Sequence, residues 1–262
     1  MNLDFKNKRA LVCGSTQGIG KAVALELASL GANVTLLARN EEALKKTKAE
    51  LSTDRGQQHS YLVADFSKPE EVRTMVTNYV QRHGAVNILV NNTGGPPSGP
   101  ITQAKTDEFL SAFNNHLVCN QILAQACLEG MKNSGYGRIV NIISTSVKQP
   151  LPNLGVSNTI RAAVGNWSKT WANEVAQFGI TVNNVLPGAT STQRLHTIIE
   201  NNANKNMRPA DEVKEHMLKE IPMKRFAEAS EIANAVVFLA SPAAAYITGI
   251  NVPVDGGRTA CL

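Results

Sequence analysis

Short, nearly continuous apolar runs recur along the chain. They are separated by longer stretches in which apolar residues return every three or four positions. The runs RALVCG, ANVTLLA, HSYLVA, VNILVNN, RIVNIIS, ITVNNVL and INVPV predict seven strands. Runs with so little polar alternation fit parallel strands covered on both faces. Between them, helices are predicted over 18–30, 41–53, 69–82, 106–133, 154–178 and 229–239. Strand–helix alternation implies βαβ units, so the expected fold is α/β: a doubly wound parallel seven-stranded sheet with helices on both faces. No tandem repeat or linker interrupts the pattern, and residues 1–262 are expected to form a single domain. The longest stretch without clear periodicity is 188–228, rich in Asn, Lys and Glu. In a compact domain such a stretch reads as a lid or binding element, here a mobile substrate cap over about 193–222.

Composition narrows the class. A hydrophobic content of 43% in 262 residues, with mean hydropathy −0.15, is that of a soluble globular protein able to bury a large core. No run of 18 apolar residues occurs, so no membrane span is expected, and MNLDFKNKRALV lacks the apolar run of a secretory signal. Cys13, Cys119, Cys127 and Cys261 form no CxxC pair. They read as reduced thiols of a cytoplasmic protein, and no metal site is expected. The net charge of +5 raises the question of nucleic acid. The basic residues are interleaved with acids, as in Glu41-Glu42-Ala43-Leu44-Lys45-Lys46, which describes a solvated helix face and no nucleic-acid partner.

Candidate chemistry begins directly after the first strand. Gly14, Ser15, Thr16, Gln17, Gly18, Ile19 and Gly20 form a glycine-rich turn that opens the first helix. Glycines there let the backbone turn sharply and approach a pyrophosphate, while the helix N-terminus supplies amide donors and a favourable dipole. A carboxylate ending the second strand would bind adenosine ribose hydroxyls and repel a 2′-phosphate. Ala38 takes that place and Arg39 follows, an arrangement that favours NADP(H) while leaving NAD(H) open.

These landmarks, with their GxxxGxG spacing, resemble the short-chain dehydrogenase/reductase family, especially its 3-oxoacyl-acyl-carrier-protein-reductase-like members. The resemblance extends over the whole chain. It includes Asp65 after the third strand, Asn91-Asn92-Thr93-Gly94 after the fourth, and Gly137-Arg138-Ile139-Val140-Asn141-Ile142-Ile143-Ser144. Pro187-Gly188 followed by Thr192, and Val254-Asp255-Gly256-Gly257, complete it. It implies a Rossmann-type sheet, a small carbonyl or alcohol substrate and a homotetramer. One interface would use helices 106–133 and 154–178, whose apolar faces carry Phe113, Trp167 and Trp171; the C-terminal strand and the VDGG turn would form the other. By the same resemblance, Asp65 and Phe66 lie beside the adenine, and Asn91, Thr93 and Gly94 line the cofactor floor. Pro187 and Gly188 border the site, and Thr192 contacts the nicotinamide carboxamide.

One departure decides the functional question. The family carries a Ser ending strand five, a Tyr thirteen residues on and a Lys four beyond; here Ser144 fits the Ser, but those spacings fall on Ser157 and Arg161. The relay Asn of the long preceding helix falls on His116, with Asn115 beside it. None of Tyr61, Tyr79, Tyr136 and Tyr246 is followed four residues later by Lys, so no YxxxK exists. A tyrosine titrates near about 10, a serine far higher, and three pKa units already correspond to about 4 kcal/mol. Arginine keeps its charge and cannot shuttle a proton, although it can clamp a ribose or a carboxylate. Histidine titrates near neutrality, which makes His116 the better candidate acid, or else a satisfied interior histidine. Arg161, one helical turn from Ser157, either pairs with an internal acid or faces the cofactor pocket with it.

Three readings follow. The first is an NADP-linked oxidoreductase with an atypical catalytic site. The second is an inactive or regulatory nucleotide-binding homologue. The third is a lyase or hydratase reusing the pocket with His116 as acid and base. On the substrate side, Gly94-Gly95-Pro96-Pro97-Ser98-Gly99-Pro100 reads as a rigid loop. The cap carries apolar Leu195, Ile198, Ile199, Met217 and Leu218, which fit an apolar or amphipathic ligand or ordinary packing.

Overall fold

A computed structural model describes residues 1–261. Each of the seven apolar runs forms a strand: β1 Arg9–Cys13, β2 Asn33–Ala38, β3 Ser60–Val63, β4 Ile88–Asn91, β5 Gly137–Ile142, β6 Ile180–Pro187 and β7 Asn251–Val254. They form one sheet, all parallel, in the order β3-β2-β1-β4-β5-β6-β7. The chain winds outward from β1 to β3, then restarts on the other side of β1 with β4. That reversal parts the loops at the carboxyl ends of β1 and β4 and opens a crevice there.

Strand pleating sends alternate residues to opposite faces. Leu11, Leu89, Ile139 and Val182 are neighbours along one face and pack against α3 (Pro69–His83), α5 (Cys119–Ser134) and α6 (Gly155–Val175). Val12, Val90 and Val140 line the other face, under α1 (Gly18–Ser29) and α9 (Ala229–Ala240). Complete burial of each such side chain contributes about 1.5–3 kcal/mol. The remaining helices are α2 (Glu41–Ala49), α4 (Thr106–Phe113), α7 (Gln193–Asn206) and α8 (Ala210–Lys219).

One row of the α6-facing side is polar. Asn91, Asn141, Asn184 and Asn251 stand opposite one another on β4, β5, β6 and β7. Asn91 Nδ2 donates to Asn141 Oδ1 at 2.8 Å, Asn141 Nδ2 to Asn184 Oδ1 at 2.9 Å, and Asn184 Nδ2 to Asn251 Oδ1 at 2.8 Å. Asn141 Nδ2 also reaches Ser168 Oγ on α6, at 3.2 Å. A slip of any strand by one residue would break this ladder, so it fixes register where the strands release the site loops.

Three expectations are corrected. The helix predicted over 106–133 is interrupted by a π-helical turn at Asn114–Val118, leaving α4 and α5 as separate helices. The helix predicted over 41–53 stops at Ala49, as the chain turns toward β3 and Ser52 offers its carbonyl to the His59 ring. The stretch 188–228 holds α7 and α8, two helices with thin apolar stripes; only Leu195, Ile199 and Ala203 recur four apart as buried residues of α7. Trp167 and Trp171 both donate to Gln121 Oε1, at 2.7 and 2.9 Å, and bind α6 to α5. No helix of the described residues is long and apolar enough to cross a membrane.

Asn141→Leu removes the partners of Asn91 Nδ2, Asn184 Oδ1 and Ser168 Oγ. Urea unfolding is expected to show a loss of about 3 kcal/mol or more.

Candidate active site

The glycine turn after β1 is built to admit a ligand's phosphates. Gly14 donates its amide to Leu37 O at 2.8 Å, and Ser15 Oγ accepts from the Leu37 amide at 3.1 Å, so the turn is sewn to β2. Asn92 Nδ2 reaches the carbonyl oxygens of Cys13 at 3.3 Å and Gly14 at 3.2 Å from the β4 side. Gly14 has φ +58° and Gly18 φ +54°, which a side chain would strain. A Cβ at Gly20 would collide with the Gly14 carbonyl and lie 2.7 Å from Asn92 Nδ2. Gln17 caps α1 without a side-chain bond, and the first turn, which includes Ile19, holds no acid. Its amides are therefore available to an anion. The other end of the crevice closes on the turn: a Cβ at Gly18 would lie 3.2 Å from Thr192 Cγ2, and one at Gly188 2.7 Å from Asp255 Cα.

At the outer end of the crevice, Arg39 is exposed and close enough for its charge to act on Asp65. Asp65 is held below its ordinary value first by the Ser67 amide, 2.9 Å from Oδ1, and only secondarily by Arg39. The Phe66 side chain packs into the core beside Leu11 and Leu37, and its carbonyl accepts from Cys119 Sγ at 3.3 Å. Thr16 and Gln17 complete the turn, Gln17 exposed.

Inside the crevice is a cavity of about 710 Å³ whose wall includes Ile19, Thr93, Ser144, Ser157, Arg161, Pro187, Gly188 and Thr192. The one-turn spacing of Ser157 and Arg161 on α6 thus brings both to the same cavity. Ser157 is buried, and its hydroxyl makes no hydrogen bond among the described residues. Ser144 Oγ accepts from the Ser146 amide at 3.1 Å, which leaves its proton free to point elsewhere. Arg161 is buried, donates from Nη1 to Ile142 O at 2.8 Å, and has no carboxylate partner among the described residues. Burial, then the nearby Arg194 charge, pushes its pKa down to about 9, which leaves the guanidinium charged at neutral pH.

Two expectations change on inspection of the contacts. Asn91 turns its side chain into the strand ladder, and Asn92 does the work of supporting the glycine turn. His116 sits in the π turn, buried, with its ring against the Gly94 backbone. Burial first, then the charges of Arg161 and Arg194, drives its pKa down to about 2. His116 is therefore a neutral imidazole that anchors the loop after β4, and the expectation of a group titrating near neutrality does not hold.

Arg194 escaped the sequence reading, which weighed only the apolar residues of the cap. It lies in the first turn of α7 with its surface open to the cavity, while the surrounding protein lowers its pKa. Its Nη1 donates to Gly95 O at 3.2 Å, and the guanidinium occupies the space a Gly95 Cβ would need.

Comparison with known proteins agrees with this geometry. A family model described as enoyl-(acyl carrier protein) reductase matches residues 14–259. The chain is 36% identical over 257 residues to the 3-oxoacyl-(acyl-carrier-protein) reductase of Pseudomonas aeruginosa, covering 97% of this chain and 98% of the relative. It is 30% identical over 254 residues to the NADPH-dependent reductase BacG of Bacillus subtilis, covering 97% and 98%. The crystal structure of L-sorbose reductase from Gluconobacter frateurii, complexed with NADPH and L-sorbose, superposes with a TM-score of 0.93 at 31% identity, covering 100% of both chains.

The depressed His116 pKa fixes a pH dependence of stability. Between about 2, its folded value, and 6.5, its ordinary one, the unfolded chain binds a proton that the folded chain refuses. The His116 contribution is thus complete above pH 6.5 and is lost as pH falls below it, by about 1.4 kcal/mol per pH unit. His116→Asn is expected to flatten the unfolding free energy measured between pH 6.5 and 4.5 by about that slope.

Proposed function

The chain belongs to the short-chain dehydrogenase/reductase family, and on that premise we propose that it is an NADP(H)-dependent oxidoreductase acting on a small carbonyl or alcohol through an atypical catalytic site. The observation that carries this reading is the glycine turn, whose shape leaves no room for a Cβ at Gly20 and whose helix offers uncapped amides. A dinucleotide fits that cradle: its pyrophosphate at the α1 amides, its adenosine end near Asp65 and Arg39, its nicotinamide end toward Thr192 and Arg161. Arg39, exposed at the end of β2 where no acid stands, supports a 2′-phosphate. The NADPH-dependent relatives support the same choice.

When bound, the nicotinamide supplies or accepts a hydride at the substrate carbon. The chain's own residues act on the oxygen. Ser144 and Ser157 each have a hydroxyl proton free to donate to it. Arg161 stabilises the negative charge that develops there as the carbonyl is reduced, in a site where burial strengthens that interaction. It holds its own proton. The oxygen therefore takes its final proton from water in the cavity, passed along the Ser157 hydroxyl. In oxidation the same groups act in reverse.

His116 positions the Gly94 loop, and its low pKa removes support from a lyase or hydratase that would use it as acid. The replacement of the Tyr and Lys by Ser157 and Arg161 favours, as a second reading, a nucleotide-binding homologue without turnover. We place the protein in the cytoplasm on the reading of its cysteines as reduced thiols.

Calorimetry is expected to show NADPH binding more tightly than NADH, and Arg39→Ala is expected to weaken NADPH selectively, by about 1–3 kcal/mol. Equal binding of NADH would remove the cofactor assignment. Tight NADPH binding without carbonyl-dependent loss of nicotinamide absorbance would select the non-catalytic reading.

The family resemblance also leads us to propose a homotetramer. Ile101, Leu110 and Phe113, at 54%, 58% and 41% exposure, are large apolar side chains near α4 that an interface would cover. Light scattering at micromolar concentration is expected to give about four times the 28.1 kDa chain mass; a stable monomer would contradict the assembly.

A further inference from the structure

The arginines of the cavity divide into two sets. Arg258 pairs with Glu220 at 2.5 Å, and Arg208 with Glu212 at 3.6 Å. Arg161, which is buried, and Arg194, which is exposed at the start of α7, face the same space with no carboxylate partner among the described residues. Arg161 is 8% exposed, and of its five N–H donors one bond is accounted for, to the Ile142 carbonyl. Arg194 donates to the Gly95 carbonyl. The two guanidiniums repel each other, and burying Arg161 without a charged partner is costly.

A second feature sharpens the imbalance. Arg194 lies in the first turn of α7, where the helix dipole disfavours a cation, and that turn holds no acid. Thr192 caps the helix through a long 3.4 Å bond to the Leu195 amide. Two cations and a helix N-terminus thus converge on the cavity, and none of the carboxylates on its wall, Glu212, Glu215 and Glu220, pairs with Arg161 or Arg194 among the described residues.

The dinucleotide does not supply that partner either. On the reading above, its phosphates lie at the α1 amides and beside Arg39, and its nicotinamide end is neutral when reduced and positive when oxidised. The missing charge belongs to the other ligand. We propose that the substrate is an oxo acid or hydroxy acid, a carbonyl or alcohol carrying its own free carboxylate, with Arg194 holding that carboxylate and Arg161 the reacting oxygen. This deepens the proposed function and rests on it. Hydride adds to the carbonyl carbon, the C=O π pair moves to oxygen, and that oxygen takes one proton. Two negative charges, the carboxylate and the developing oxyanion, then meet two guanidiniums. A thioester of an acyl carrier, which lacks the free carboxylate, leaves Arg194 unmatched.

The test compares 2-oxo-, 3-oxo- and 4-oxohexanoate with their methyl esters on the NADPH-loaded protein. NADPH oxidation is followed, and binding of the same six compounds to the NADP⁺ complex is measured by calorimetry. At least one acid is expected to exceed its ester by about ten- to hundredfold in kcat/KM and in affinity, the range of one charge-assisted contact. Arg194→Gln is expected to bring that acid down to its ester's level, chiefly through KM, and Arg194→Lys to keep part of the difference. Esters equal to acids, or an Arg194→Gln loss of the same factor for both, would overturn the inference while leaving reductase activity established. Should no compound oxidise NADPH, the proposed function fails and calorimetry still decides. Arg194-dependent binding of the acid alone upholds the carboxylate site, and absence of acid binding overturns it.

Discussion

The site depends on how β4 to β7 are held in register. Parallel strands bonded only through their backbones can slide by a residue at modest cost where side chains on a face are interchangeable. Here Asn91, Asn141, Asn184 and Asn251 are not interchangeable with their neighbours, because each needs the amide beside it. The row sits where β4 releases the loop to Gly95, β5 the loop to Ser144, and β6 the loop to Thr192. Ser168 ties the row to α6, the helix that carries Ser157 and Arg161. One polar ladder thus sets the relative position of nearly every group that faces the cavity.

Held that way, the cavity has an unusual balance of acid and charge. The hydroxyls of Ser144 and Ser157 are hydrogen-bond donors but weak acids, and the buried His116 refuses a proton. What remains strong is positive charge. A site of this kind works by stabilising an anion more than by handing over a proton. On the proposed reading, that distinction lets a nucleotide cradle at the glycine turn coexist with Ser157 and Arg161 on α6. An arginine keeps its charge but does not exchange a proton, and its planar donors suit an oxygen anion better than a lysine ammonium would.

Much of this was legible in the sequence because it rests on local patterns. The seven apolar runs marked the strands, GSTQGIG marked the turn, and the four-residue spacing placed Ser157 and Arg161 on one helix face. What was not legible depended on tertiary surroundings. Asn91 and Asn92 are adjacent and identical, and only strand pleating shows which one enters the ladder and which one supports the turn. The near-neutral titration expected of His116 assumed access to water that the π turn removes. The cap read as irregular because α7 buries little more than Leu195, Ile199 and Ala203. Without α7, the helix-start position of Arg194, and hence its conflict with the dipole, could not be seen.

The π turn at Asn114–Val118 has a consequence for how this architecture can change through descent. Such a turn holds one residue more than an α-helix of the same rise, and each residue of a helix advances the direction of its side chain by about 100°. Removing the extra residue would rotate α4 and everything before it relative to α5, swinging His116 away from the Gly94 backbone and the buried face of α4 away from α6. No single exchange of one side chain for another achieves or reverses that rotation; it takes a gain or loss of a codon. The relative rotation of α4 and α5 therefore changes only by insertion or deletion, while the side chains it places, like Ser157 and Arg161 on an unbroken helix, remain open to replacement one base change at a time.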